Sequence, residues 1–208
     1  MLSNDKFIVE PVGLEVDRLP RPIDWQALFG NDHPVELEIG IGKGTFLVGQ
    51  AEARPETNFF GIEWANKYWR SASDRLRRRK CLNARTVRAE ANYFLTEFVP
   101  DASLSVLHIY FPDPWPKARH NKRRLIQPLF MQLARRILEP DGRIQIVTDH
   151  KDYFEHIDQV VRGAPGFEVI DYNRPGGSAG EGEFVGTNFE RKYAREGRPF
   201  YAIAARKK

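Results

Sequence analysis

The 208-residue chain is 41% hydrophobic, 12% aromatic and 29% charged, too apolar for a disordered polymer and long enough for one compact domain with a sizeable core. No run reaches the ~18 apolar residues of a membrane span, the first residues lack the order of a secretory signal, and the single cysteine, Cys81, cannot form an internal disulfide; membrane and disulfide-stapled classes are excluded and a cytoplasmic location is expected. The net charge of +4 conceals an asymmetry, because residues 70–88 and 117–124 carry thirteen cations against one acid while the other 181 residues hold 19 cations and 27 acids, so the alternatives are a polyanionic partner or a solvated helical face.

In chain order, residues 1–33 are punctuated by Pro11, Pro20 and Pro22 and read as an irregular N-terminal arm, with a single domain over 34–208. A rhythm then begins. Val35 to Ile39 is a strand, Thr45 to Ala53 a helix and Asn58 to Ile62 a strand. Ala65, Tyr68, Trp69, Ala72 and Leu76 recur at helical spacing, with Arg75 and Arg77 to Arg79 at the exposed end. Ala84 to Arg88 is a weak strand and Leu104 to Phe111 a strong one. Leu125, Ile126, Leu129, Phe130, Leu133, Ile137 and Leu138 make an amphipathic helix that Glu139 to Gly142 stop. Arg143 to Thr148 is a strand, Tyr153 to Val161 a helix, Phe167 to Asp171 a strand, and Pro199 to Ala205 a closing strand. Between the last two, residues 173–186 contain five glycines and read as a mobile, lid-like loop. Strands alternating with helices predict an α/β domain with a mainly parallel sheet. In such sheets ligands bind beyond the carboxyl ends of the strands, which shortlists Glu38 to Gly44, Glu63, Glu90, Asp113 and Asp149.

The first strand runs into Glu38-Ile39-Gly40-Ile41-Gly42-Lys43-Gly44, where alternating glycines allow a sharp turn and close approach of a ligand. Glu63, ending the second strand, is placed to accept hydrogen bonds from ribose hydroxyls. The spacing G-x-G-x-G differs from the G-x-G-x-x-G of dinucleotide sites, and Glu38 would repel a pyrophosphate while suiting a cationic ligand such as a sulfonium.

The loop resembles the first motif of class I S-adenosylmethionine methyltransferases. Together with Phe111-Pro112-Asp113-Pro114-Trp115-Pro116-Lys117-Ala118-Arg119-His120-Asn121-Lys122-Arg123-Arg124 and Thr187-Asn188-Phe189-Glu190-Arg191, it makes residues 38–201 resemble the bacterial tRNA (guanine-N7-)-methyltransferase family. The resemblance implies a Rossmann-like class I fold, a seven-stranded mainly parallel sheet with helices on both faces, S-adenosylmethionine as cofactor, tRNA as partner, and methylation of the variable-loop guanosine at N7. It implies cofactor binding by Glu38, Gly40, Gly42, Gly44, Glu63, Glu90 and Ala91, and substrate binding by Asp113, Lys117, Asp149, Thr187, Asn188, Phe189 and Glu190. Glu90 departs from the family, whose members commonly carry Asp or Asn there.

Guanine N7 has an in-plane lone pair, so transfer needs positioning more than a base. Asp113, held between Pro112 and Pro114, is the candidate catalytic residue: its carboxylate would stabilise the developing cation and accept from the guanine N1 and N2 edge. Lys117, Arg119, Lys122, Arg123 and Arg124, with the arginines of 75–80, are expected on phosphates, and Trp115 either stacks on a base or anchors the loop. No metal site is expected, since the five histidines show no two-ligand spacing; the chain is a monomer or a homodimer. Two rivals remain: an amino-methyltransferase, because Asp113-Pro114-Trp115 superficially resembles an Asp-Pro-Pro-aromatic motif, and a nucleic-acid-binding module that has lost catalysis.

Overall fold

The computed structural model describes residues 7–175, 179–181 and 183–208. The strands are β1 (Gly13–Leu14), β2 (Val35–Ile39), β3 (Asn58–Glu63), β4 (Ala84–Arg88), β5 (Leu104–Tyr110), β6 (Leu138–Thr148), β7 (Phe167–Ile170) and β8 (Tyr201–Lys207). The helices are α1 (Trp25–Phe29), α2 (Thr45–Ala53), α3 (Asn66–Arg78), α4 (Ala91–Glu97), α5 (Pro128–Ile137), α6 (Lys151–Arg162) and α7 (Asn188–Arg195). None is long and apolar enough to cross a membrane.

The strands form one sheet in the order β1-β4-β3-β2-β5-β6-β8-β7, parallel except where β8 runs antiparallel to β6 and β7. Seven of them make the expected sheet. The eighth, β1, pairs Gly13 with Thr86 and Leu14 with Val87 on the outer edge of β4; two residues carry too little alternation to be legible as a strand. The segment expected as an irregular arm thus contributes β1, α1 and the buried side chains of Val12 and Ile23, each 3% exposed. Asp24 caps α1 by accepting from the Ala27 amide at 3.0 Å.

Apolar faces explain the layers. Val35, Leu37 and Ile39 of β2 point into a core shared with α4, α5 and α6, while Phe46 and Leu47 of α2 and Ala72 and Leu76 of α3 fill the opposite face. On that second face β2 carries Glu36 and Glu38, both buried. The strand therefore reads as alternating although neither face meets water.

β6 starts five residues earlier than its apolar run suggests. Leu138 pairs with Leu104, residues 139–142 leave the ladder, and pairing resumes at Arg143 opposite Val106. Pro140 has no amide to give the ladder, and Asp141 turns the chain at φ +63°.

The winding starts at β2 and proceeds outward through β3 and β4, then returns to place β5 on the other side of β2. That reversal opens a crevice above the carboxyl ends of β2 and β5.

Candidate active site

The loop from Gly40 to Gly44 leaves β2 and enters α2. Gly44 caps that helix at φ +68°, and a Cβ there would stand 2.9 Å from the Ala72 Cβ of α3. Only glycine meets both demands. The loop is then locked from β3: Glu63 accepts from the Gly42 amide at 2.9 Å with one oxygen and from the Ala65 amide at 2.8 Å with the other. Glu38 has no such satisfaction. Its side chain is buried, its Oε2 makes no hydrogen bond among the described residues, and burial, with the charge of Glu63 added, pushes its carboxyl up to about 8.

Both acids line a cavity of about 650 Å³ at the switch point. The cavity wall also takes in Gly40, Gly42, Ala91 and Asp113, and from α7 and its approach Thr187, Asn188 and Phe189. Five expected site residues lie off that wall. Gly44 is buried beneath the loop, and Lys117 is exposed at the start of a 3₁₀ turn over Ala118–Arg123. Asp149 pairs with Arg198 at 2.8 Å. Glu90 caps α4, accepting from the Asn92 and Tyr93 amides at 3.1 and 2.7 Å. Glu190 is 1% exposed, and its carboxylate accepts from the amides of Phe184, Val185 (2.9 Å) and Gly186 (2.7 Å).

Asp113 is exposed at the cavity mouth beyond β5. Phe111 and Trp115, on either side of Pro112-Asp113-Pro114, take φ values of +53° and +43°. Two non-glycine residues in the left-handed region need a surrounding structure that holds them there. Arg124 supplies part of it. Expected on phosphate, Arg124 is instead 4% exposed, donates to the Pro114 carbonyl at 2.9 Å and to the Asp152 carboxylate, and lies over the Tyr153 ring. Its neighbour Arg123 is exposed and stacks on Trp115 at 4.9 Å. Trp115, half-buried, lines the cavity.

A family model described as "Putative methyltransferase" matches residues 32–203. A tRNA (guanine-N(7)-)-methyltransferase of Geobacter metallireducens is 41% identical over 160 residues, covering 77% of this chain and 76% of the relative. Another, of Rhodopirellula baltica, is 39% identical over 196 residues, 91% of this chain and 72% of the relative. The chain belongs to the tRNA (guanine-N7-)-methyltransferase family. Among solved structures, a 30S ribosomal A1408 methyltransferase from an uncultured bacterium superposes with a TM-score of 0.57 at 16% identity, over 88% of this chain and 91% of that one. At that identity the likeness concerns the Rossmann-like fold.

The basic helix end of this methyltransferase is largely spoken for. Arg77 and Arg78 pair with Asp74 at 2.9 and 3.0 Å, and Arg79 pairs with Glu52 at 2.6 Å. Each of these three arginines, expected on RNA phosphates, thus has an acid beside it, one turn away or on α2. The cations nearer the cavity mouth, Arg119, Lys122 and Arg123, are exposed.

Two features escaped the sequence. Trp64, 66% exposed, lines the cavity directly after Glu63; its place beyond a strand end was the available signal. Beneath α2, Glu36 accepts from Arg54 through both oxygens at 2.7 Å and meets His108 Nε2 at 2.8 Å, while His108 Nδ1 meets the Tyr110 hydroxyl at 2.7 Å. Burial would raise the Glu36 carboxyl, but His108 and Arg54 pull it down to about 2. These partners are up to 72 residues apart, so no local spacing announces them.

Proposed function

We propose that the protein transfers the methyl group of S-adenosylmethionine to N7 of the variable-loop guanosine of tRNA. The observation that carries the reading is the arrangement across the cavity: an unpartnered buried carboxyl, Glu38, on the β2 side and an exposed carboxylate, Asp113, between two prolines on the β5 side. A buried acid without a partner is costly, and a cationic ligand supplies what Glu38 lacks. The glycine turn beside it admits close approach of that ligand, and Glu63, already bound to the turn through Gly42, fixes the turn's shape. The residues therefore fit S-adenosylmethionine. When bound, this cofactor supplies an electrophilic methyl group on a positively charged sulfur.

The chain's own residues then position. Guanine N7 would meet the methyl group with its own lone pair and has no proton to lose, so none of the chain's residues is needed as a general base. Asp113 accepts from the N1 and N2 edge of guanine, which adenine lacks, and its negative charge offsets the positive charge that develops on the ring. Asn188 and Phe189 close the cavity from the α7 side. Thr187 caps α7 by accepting from the Glu190 amide at 3.1 Å, and Glu190 holds the preceding turn, so these two set the position of their neighbours. Lys117, Arg119, Lys122 and Arg123 hold flanking phosphates at the mouth. Glu90 and Asp149 act through the segments they fasten, α4 and the chain beyond α7.

The test is to incubate the protein with methyl-labelled S-adenosylmethionine and tRNA lacking 7-methylguanosine, then digest the RNA and identify the labelled nucleoside. Label in 7-methylguanosine of the variable loop supports the reading. Label in an exocyclic-amine product would move the protein to the amino-methyltransferase alternative, and no label would contradict both.

A further inference from the structure

α7 is only lightly fastened to the rest of the molecule. Glu190 is its one buried side chain, which places the helix among the elements that open most readily. At its first turn it meets the glycine loop once and the residue after that loop once. Asn188 Nδ2 donates to Thr45 Oγ1 at 2.8 Å, and the Phe189 ring reaches within 3.6 Å of where a Cβ on Gly42 would stand. Thr45 is the first residue of α2, directly after the capping Gly44. The same hydroxyl oxygen accepts from Arg75 Nη1 of α3 at 3.1 Å, and Arg75 also reaches the Lys43 carbonyl at 3.5 Å. One oxygen at the start of α2, directly after the glycine loop, thus meets both α3 and α7. Farther along α7, Tyr193 stands edge-on to Phe111, with ring centroids 6.1 Å apart. Phe111 is the left-handed residue that opens the Asp113 loop, so α7 bridges the two walls of the cavity.

We infer that Thr45 and Asn188 are positioning residues that couple the cofactor loop to the substrate side, so that each ligand tightens the binding of the other. This rests on the reading of the site proposed above. A ligand that orders the glycine loop restrains Thr45 and, through Asn188, the first turn of α7; a ligand held by α7 restrains the glycine loop in return. Whichever binds first meets the ordering cost, and the second does not. The coupling is reciprocal by linkage. One exposed hydrogen bond limits it to about 2- to 12-fold.

The experiment is calorimetric titration with S-adenosylhomocysteine, which has no methyl group to transfer, in the absence and presence of saturating tRNA lacking 7-methylguanosine. In the wild type its Kd should fall several-fold when tRNA is present, and the tRNA Kd should fall by the same factor when it is present. Thr45→Val, Asn188→Ala and the double variant should all lose the coupling to the same extent, because each breaks the Thr45–Asn188 bond through which it passes, although Thr45→Val also takes the acceptor from Arg75; Thr45→Ser, which keeps the hydroxyl, should retain it. Wild-type affinities that ignore the other ligand, or full coupling in Thr45→Val, would overturn the inference. No binding of S-adenosylhomocysteine to the wild type would overturn the cofactor reading first, and this inference with it.

Discussion

On the β2–β3 side of the cavity the two acids are withdrawn from solvent, Glu38 buried and Glu63 half-buried: Glu63 is bound to two backbone amides, and Glu38 Oε2 has no partner among the described residues. On the β5–α7 side Asp113, Lys117, Arg119 and Lys122 face solvent, and the one buried cation of that stretch, Arg124, serves the loop rather than a ligand. On the proposed reading the first wall takes a small ligand of positive charge. The second presents exposed charge to a large polyanion, where strength comes from many weak interactions and depends on salt. The contrast separates the two walls experimentally, since a change on one should leave the affinity of the other's ligand untouched when each ligand is titrated alone.

The largest effect is expected at Asp113. Asp113→Ala should lower turnover by about 10²- to 10³-fold, the usual scale for removing a group that meets developing charge. Steady-state kinetics on tRNA check this, and near-native turnover would remove Asp113 from the chemistry.

Glu38→Gln should weaken cofactor affinity by about 10-fold or more, the scale of one favourable charge interaction in a buried site. It should also change the pH dependence. The folded chain keeps the Glu38 proton up to about pH 8, whereas an unfolded chain releases it near the ordinary 4.5. Between those values the folded state binds more protons, so stability falls as pH rises through that window, by at most about 1.4 kcal/mol per unit. In the same window a cationic ligand gains affinity as pH rises, because the proton it displaces is held less tightly. Thermal melts and calorimetry from pH 5 to 9 (roughly spanning the shifted range) should show both trends in the wild type and neither in the variant.

A smaller loss is expected at Arg124. Arg124→Ala leaves the Pro114 carbonyl without its donor and uncovers Tyr153, at a cost of about 2 kcal/mol in stability measured by urea unfolding. If the side chain served phosphate instead, tRNA affinity would drop with stability unchanged. Smallest of all is the change at the end of α3. Replacing Arg77, Arg78 and Arg79 by Ala should shift tRNA affinity by less than about 3-fold, because their acids already hold them. Replacing Arg119, Lys122 and Arg123 should lower the slope of log affinity against log salt by about 0.7 to 0.9 for each phosphate that is no longer neutralised. Equal slopes in the two triple variants would erase the distinction between the surfaces.

Local patterns carried most of the fold. Thr45–Ala53 and Ala84–Arg88 lie where their residues alone place them, because strand length, helical spacing and the punctuation by glycine and proline act over a few residues. The shorter helices α1, α4 and α7, of five, seven and eight residues, did not register; over so few residues an apolar stripe has no room to repeat. The site was legible as types of residue at strand ends and opaque as to which way each side chain turns. Glu63 and Glu90 are both acids after a strand, yet one faces the cavity and the other caps a helix. Arg123 and Arg124 are adjacent in one basic run, yet one is exposed and the other buried. Spacing along the chain cannot separate such neighbours, since the difference is made by Tyr153 and Asp152, which arrive from α6. Of the glycine-rich stretch expected as a lid, residues 176–178 and 182 lie outside the described residues; its flanks are joined where the Tyr172 hydroxyl donates to the Phe184 carbonyl at 3.3 Å.

The central claim is that one wall binds the methyl donor and the other directs the methyl group to guanine. Its most direct test measures S-adenosylmethionine Kd and single-turnover methylation of tRNA in Asp113→Ala and Glu38→Gln side by side. Asp113→Ala should keep cofactor affinity within about 2-fold of the wild type while losing the methyl-transfer step, and Glu38→Gln should lose affinity yet methylate at a rate restored toward the wild type by saturating cofactor. Loss of cofactor affinity in Asp113→Ala as large as its loss of turnover would contradict the account.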